Sequence, residues 1–472
     1  MKKIGVFSVL FIALNIYLIS LVIGKNRLVL QENVPVSKQS GSNQVIITLV
    51  PNDLPGYYVS PNGNDSNPGT RLKPWKTTKK AALTVSPGDI VYLRGGIYTE
   101  SVRFETSGTE SSPIKIMAYP GEIPIIDGQN QLPLSYTGLV SVFGNWVQIS
   151  GLEVRNSKYI GLGLYGKHDS ARDIFAHHSQ KSGIYISGDY GVVENSKIWR
   201  NSLQHEFGKG PSWSSGLIAG RDSTDGLTEY AVMRNNVSWE NWGQGIDTYE
   251  SNQTIMEDNI SHDNSITNIY ISDSTNVLCQ RNLVYMTPGS IVYGIDSNVG
   301  IMMGDEVYNP TSANIKVINN ISYGNNWNFA LFKGTQDRRT NNVLIANNTF
   351  VNGINKGGVV IRGYHQNVRF ENNLVLQDGP LPIIAIDLDP DLSFSSNFWS
   401  KSPSKDAIGP GDVIGNPRLV KTGEPNTPGW FRLTEFSPAI GKAKIIPEII
   451  VDYFNIPRDS KPDLGAIEYF PH

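Results

Sequence analysis

Between residues 160 and 362 the chain carries short segments in which every second position is apolar: GLGLYG, GIYISG, GLIAGR, GIDTYE, NIYISD, GIMMGD, FALFKG and GVVIRG. Their first apolar positions are Leu162, Ile184, Leu217, Ile246, Ile269, Ile301, Phe329 and Val359. Two residues further come Leu164, Ile186, Ala219, Thr248, Ile271, Met303, Leu331 and Ile361. Successive side chains of a strand point to opposite faces, so these two columns predict strands that share one interior.

A second marker keeps the same beat. VVENSKIW, VMRNNVSW, TIMEDNIS, VLCQRNLV, KVINNISY, LIANNTFV and VRFENNLV each place an asparagine behind an apolar pair, at Asn195, Asn236, Asn259, Asn282, Asn320, Asn348 and Asn373. The spacings are 41, 23, 23, 38, 28 and 25 residues, which fits one unit near 23 with insertions at a tolerated corner. Such a unit cannot bury its own apolar face and must stack on its neighbours. The pattern predicts an all-β fold, a single-stranded parallel β-helix built as a solenoid of 22–30-residue coils. Asparagine suits its corners because it tolerates the left-handed conformation, and stacked amides bond from coil to coil. The N-x-S/T triplets at Asn236, Asn252, Asn259, Asn320 and Asn347 are read as ladder positions rather than glycosylation sites.

The ends differ from the middle. Residues 56–130 predict an N-terminal cap, with a short amphipathic helix around 77–85, and the first coils; residues 131–380 hold the β-helix. Residues 381–472, rich in proline, predict final coils and a capping segment that wraps the other end. A cap is needed because an open β-helix end is a sheet edge. At the start, Lys2 and Lys3 precede an apolar run from Ile4 to Gly24 that is long enough to cross a bilayer, followed by a polar linker over 26–55. Residues 1–25 therefore read as a signal peptide or an uncleaved N-terminal membrane anchor, and either places the remainder in a secreted or extracytoplasmic location.

Composition narrows the function. With 40 basic and 43 acidic residues the net charge is −3, which gives no electrostatic footprint for nucleic acid. Cys279 is the only cysteine, so neither an intrachain disulfide nor a cysteine-based zinc site is available. Its apolar context predicts a buried small hydrophobe. A monomer is expected.

The outward positions of the same strands carry the candidate chemistry. One column reads Gly163, Tyr185, Ile218, Asp247, Tyr270, Met302, Ala330 and Val360; the next reads Tyr165, Ser187, Gly220, Tyr249, Ser272, Gly304, Phe332 and Arg362. Asp247 is the only acid among these sixteen positions. The tyrosines suit stacking on sugar rings, whose faces are apolar and rims polar, and they equally suit any half-exposed strand. At the strand ends Arg221, Glu250, Asp273, Asp305 and Lys333 form a third column. These acids read either as a charge ladder or, together with Asp247, as ligands for a hard cation such as Ca²⁺. An insertion between the coils at Asn195 and Asn236 brings His205, Glu206, Lys209 and Trp213 to the edge of the strip.

YYVSPNGNDS, PGDIVYLRGGIYTE, WENWGQGIDTYES and PDLGAIE resemble segments of the right-handed parallel β-helix pectate lyases of polysaccharide lyase family nine. The resemblance implies a right-handed coil, calcium held by four aspartates, and a lysine that takes the C5 proton of a uronate. Position by position it places one metal aspartate on Asp247, with Glu250 where another acid often follows. The other metal positions fall on Gly243, Gln244 and Ser215, and the catalytic lysine falls on Met302. Methionine cannot take a proton, so a rebuilt site is expected.

Three readings follow. A polyuronate lyase would use Asp247 with Tyr185, Tyr270, His205 or Lys209 in catalysis, with Tyr165, Tyr249, Trp213, Lys333 and Arg362 binding substrate. A glycoside hydrolase would pair Asp247 with Glu250, Asp222 or Asp273. A non-catalytic surface protein would hold polysaccharide on the tyrosine strip.

Overall fold

The structure, a computed structural model, describes residues 54–471 apart from 209–213, 222–225, 293–297, 307–309, 334, 336 and 388–389. Three parallel sheets of 13, 11 and 13 strands run its length, and each coil contributes one strand to each sheet in turn. The 11-stranded sheet contains the predicted segments in the predicted register. Leu162 pairs with Ile184, Ile184 with Leu217, Leu217 with Ile246, Ile246 with Ile269, and so on to Phe329 and Val359. All eight members of that column are fully buried. Burying a side chain of this size is worth roughly 1.5–3 kcal/mol, so stacking supplies what a lone coil lacks.

The asparagine column is real but displaced by one residue in its first member. Asn236 donates its backbone N–H and its side-chain amide to Asn259 Oδ1 (3.0 and 3.1 Å). The same step repeats from Asn259 to Asn282, Asn320, Asn348, Asn373 and Asn397. In the first coil Ser196, not Asn195, occupies the ladder and donates to Asn236 Oδ1. The left-handed corner is the residue before each ladder asparagine: Asn195, Asn235, Asp258, Arg281, Asn319, Asn347 and Asn372 all have φ between 52° and 57°. The two properties expected of one asparagine are thus divided between neighbours. Of the five triplet asparagines, Asn236, Asn259 and Asn320 are fully buried ladder residues, whereas Asn347 turns the corner before Asn348 and the half-buried Asn252 donates to Glu229 instead.

A second amide ladder lies at the entry to the 11-stranded sheet, where Asn201 donates to Asn241, Asn241 to Asn264, and Asn264 to Asn268. It explains most of the WEN segment. Trp239 stacks between Trp199 (5.0 Å) and His262 (6.0 Å), Glu240 turns the corner at φ 51°, and Asn241 belongs to the ladder. This part of the motif builds the coil.

The N-terminal cap contains the strand Tyr57–Val59 and a helix, Thr78–Ala82, shorter than the expected 77–85. Thr77 caps it by accepting from Lys80 N (3.0 Å). After Ala82 the Thr84 hydroxyl donates to Lys80 O (2.7 Å) and the Thr84 backbone N–H turns to Ala81 O, so the regular helical ladder stops there. At the other end, coils continue to the strand Val413–Ile414. The segment after it runs back along the flank rather than only closing the end. Trp430 and Phe431 meet Tyr323, and Ile446 and Ile449 pack with Ile318 and Leu344. Arg458, 4% exposed, ties this segment down by bonding Glu468 (2.7 Å) and Asn319 Oδ1 (2.9 Å).

Cys279 is fully buried, and burial pushes its thiol up to about 12, so it is inert. Among the described residues no helix is long and apolar enough to cross a membrane. The predicted leader, residues 1–25, and residues 26–53 of the predicted linker lie outside the described residues.

Candidate functional site

Asp247 sits in the strand Gln244–Tyr249, paired on one side with Ile218 and on the other with Tyr270, as its column predicts. The local geometry depends on Gly245. A Cβ there would collide with Ser261 Oγ and Asn264 Nδ2, both part of the buried amide layer. Gly245 and Ile246 therefore both face inward, the alternation slips by one, and Gln244 joins Asp247 on the outward face.

Outward does not mean solvated. Asp247 is only 5% exposed. Its Oδ2 accepts from Ser215 Oγ (2.8 Å), and its Oδ1 has no hydrogen-bond donor. Burial pushes the carboxyl up to about 7; the Ser215 bond opposes this and the charge of Glu306 adds to it. Near neutral pH Asp247 is thus poised to hold a proton.

Glu306 is a member the sequence reading missed. It follows the strand Val299–Asp305 by one residue, and its Oε1 accepts from the Tyr270 hydroxyl at 2.6 Å. Its backbone N–H donates to Asp273 Oδ1 (2.9 Å). Tyr270 is held well above the usual phenol range by burial and by Glu306, so it keeps its proton. Gly304 makes room for this pair: a Cβ on it would lie 2.8 Å from the Tyr270 hydroxyl.

The other candidates divide. Tyr185 is half-buried, donates to Arg221 O (3.4 Å), and is raised by burial, with Asp247 and Glu250 contributing. Tyr165 stacks on Phe143 (4.6 Å) and its hydroxyl accepts from Gly138 N (3.1 Å). Tyr249 is half-buried one coil below Gly304's neighbour Ser272. His205 is buried in the turn Leu203–Gly208, where its backbone N–H donates to Ser202 O. Arg362 is exposed, 4.0 Å from Asp387. Lys209, Trp213 and Asp222 lie outside the described residues, as does the side chain of Lys333.

The third column resolves into pairs. Arg221 meets Glu250 (3.2 Å), Arg338 meets Asp305 (3.4 Å), and Asp273 is hydrogen-bonded to Asp305. Burial, with the neighbouring Asp305, pushes Asp273 up to about 6. Of the four expected metal ligands, Asp273 and Asp305 are bonded to each other, while Glu250 is engaged with Arg221 and Asp247 with Ser215. Among the described residues no group of three or more His, Cys, Asp or Glu is arranged to hold a metal ion. Gln244 Oε1 and Asp247 Oδ1 are both buried without a donor, which a cation could explain. Calcium, however, takes 6–8 oxygens, usually with several carboxylates. The described site offers the carboxylates of Asp247 and Glu306, the second already bonded by the Tyr270 hydroxyl, with the Gln244 amide and the Ser215 hydroxyl. That donor set does not fit calcium, whereas a proton on Asp247 accounts for its Oδ1.

The fold defines a right-handed parallel β-helix protein similar in architecture to the pectate lyases. Residues 57–276 match the family described as Pel9A-like, right handed beta helix region. The chain is 25% identical over 433 residues to pectate lyase L of Dickeya dadantii (strain 3937), covering 87% of this chain and 90% of that one. Among solved structures, pectate lyase Pel9A aligns with a TM-score of 0.53 and 22% identity over 88% of this chain and 96% of its own. The complex of XylC with xylose aligns with a TM-score of 0.62 and 11% identity, covering 88% and 98%. At these identities the two structures establish the shared fold.

Proposed function

We propose that the protein is an exported lyase that cleaves a uronate-containing polysaccharide by β-elimination on the outward face of the 11-stranded sheet. The observation that carries this is the Tyr270–Glu306 hydrogen bond of 2.6 Å, set beside an Asp247 carboxyl pushed up to about 7. The relation to pectate lyase L along most of both chains supports the reaction class.

β-Elimination needs a base for the C5 proton, a proton for the leaving O4, and relief of the uronate charge. Glu306 takes the C5 proton, the C–H electron pair becomes the C4–C5 double bond, and the C4–O4 bond breaks. O4 takes the proton of Tyr270, which burial keeps protonated. Glu306 then returns its proton to Tyr270 across the same hydrogen bond, restoring both groups. Asp247 in its neutral form adds no negative charge beside the uronate carboxylate. Arg221, whose side chain is 59% exposed and pairs with Glu250, lends positive charge to the same edge of the face. No step runs through a metal.

The test is ultraviolet detection of unsaturated product from pectate and alginate, with and without chelator. The reading expects product that persists under chelation and disappears in Glu306→Gln. A glycoside hydrolase is the second reading, favoured by two carboxyl groups of which one retains its proton. New reducing ends without ultraviolet-absorbing product would establish it.

Export rests on residues 1–25, with their two lysines ahead of an apolar run. Fractionation of cells expressing the full chain tests it: recovery in the cytosol would contradict export. The protein is expected to act as a monomer.

A further inference from the structure

The outward face does not end at Asp247. Two and three coils towards the N-terminus it passes through Tyr185 and Gly163, about 10 and 14 Å away at the coil spacing. The ring of Tyr165 lies over Gly163, where a Cβ would strike it. Beside it a loop at residues 128–137 holds Tyr136 outward, 64% exposed, its ring 5.2 Å from that of Tyr159. The Tyr136 phenol is near enough to both Tyr165 and Tyr185 to add to the rise in their titration. Several tyrosines from separate coils therefore converge at one place.

Two cations accompany them. Lys158 Nζ lies 5.6 Å from the centre of the Tyr159 ring. Lys181 is the parallel neighbour of Tyr159, donating its backbone N–H to Tyr159 O, and is half-buried. Burial lowers its titration, and no carboxylate contributes to offset this. On the other two sheets partly buried cations have acids: Arg94 has Glu122 and Arg155 has Asp127. A half-buried lysine on the coil next to Tyr159, with Lys158 over that ring and Tyr136 exposed beside it, suits an anion from outside the chain carried on a group with apolar faces.

We infer that Tyr136, Tyr159, Tyr165, Tyr185, Lys158 and Lys181 form a second binding site, a subsite for anionic sugar residues of the polysaccharide whose reactive residue lies at Glu306. The inference rests on the lyase reading for the occupant, since the subsite shares a continuous face with that site. Uronate residues match both features: a carboxylate for the lysines and C–H faces for the tyrosine rings. The subsite makes the protein prefer chains long enough to span both places.

The test is binding, separate from turnover. The Glu306→Gln protein is titrated with polygalacturonate and with neutral dextran, then compared with versions carrying Lys181→Ala, Lys181→Arg or Tyr136→Ala in addition. Lys181→Ala should weaken polygalacturonate binding about fivefold, as loss of one partly screened ion pair does, and Lys181→Arg should restore it. Tyr136 is exposed, so its replacement should weaken binding without unfolding the protein. Unchanged affinity in both Lys181→Ala and Tyr136→Ala would overturn the subsite. Weakened binding combined with no unsaturated product from the wild-type protein would leave the subsite standing and overturn the lyase reading. Product with unchanged binding in the variants would do the reverse.

Discussion

Tyr270 donates its hydroxyl to Glu306 at 2.6 Å, although the two residues lie on successive coils 36 positions apart in sequence. The coil step brings them together, because Tyr270 pairs with Met302 and Glu306 follows the same strand. If this pair performs proton transfer, Glu306→Gln and Tyr270→Phe should each lower the rate of product formation by about 10²–10⁴. Circular dichroism and melting temperature should stay close to wild type for Glu306→Gln, since that residue is only half-buried.

Gly304 offers an indirect route to the same pair. Its missing side chain leaves the space that the Tyr270 hydroxyl occupies, 2.8 Å from where a Cβ would stand. Gly304→Ala should therefore displace the phenol and reduce activity without touching either titrating group. A kinetic comparison with Gly289→Ala, where a Cβ meets nothing within 4 Å, controls for general effects. That second position has φ 84°, so its own strain must be read from a melting curve first.

The protonation of Asp247 has a stability signature. Its carboxyl titrates near 4 when unfolded and is pushed up to about 7 in the fold. The folded state keeps the proton while the unfolded state has lost it, so this contribution is complete below about pH 4. It declines as pH rises and is gone above about 7. Asp247→Asn removes the titration: relative to wild type it should be more stable at pH 8 than at pH 5, with a differential on the order of a few kcal/mol. Denaturant melts of both proteins at the two pH values measure it. Equal differences at both would show that Asp247 is ionised throughout.

The amide ladders should be costly to interrupt. Asn259 is fully buried and accepts two bonds from Asn236 while donating to Met233 O and Asn282. Asn259→Ala leaves those partners unsatisfied, at about 1–3 kcal/mol each for the groups stranded. A drop of several degrees in melting temperature is expected, larger than for Asn367→Ala in the exposed amide row on the opposite flank.

Much of the architecture could be read from the chain because burial acts at a fixed period. Leu162 through Val359 had to be apolar, and the register of the sheet follows from them. What period-two reasoning could not reach was the strand end, where Glu250 and Asp273 turn through φ 47° and 42°. Glu306, one residue past such an end, was passed over for that reason, although an acid directly after Asp305 on the coil above Tyr270 was the available signal. The asparagine corner was misplaced at Asn195 because the left-handed residue and the ladder residue are adjacent and are often both asparagine. The second ladder was hidden because its members appear as WRN, WEN and HDN, which share only the amide. Asp247 was correctly placed between Ile218 and Tyr270, yet its burial was not foreseen. That depends on Ser215 and Glu306, which come from other coils.

The most direct measurement is the initial rate of ultraviolet-absorbing product from polygalacturonate, for wild type, Glu306→Gln and Met302→Lys under chelator. Product is expected from wild type, with loss in Glu306→Gln and no gain in Met302→Lys, because the base is already present at the end of the strand that carries Met302. Product that persists at the wild-type rate in Glu306→Gln would contradict it.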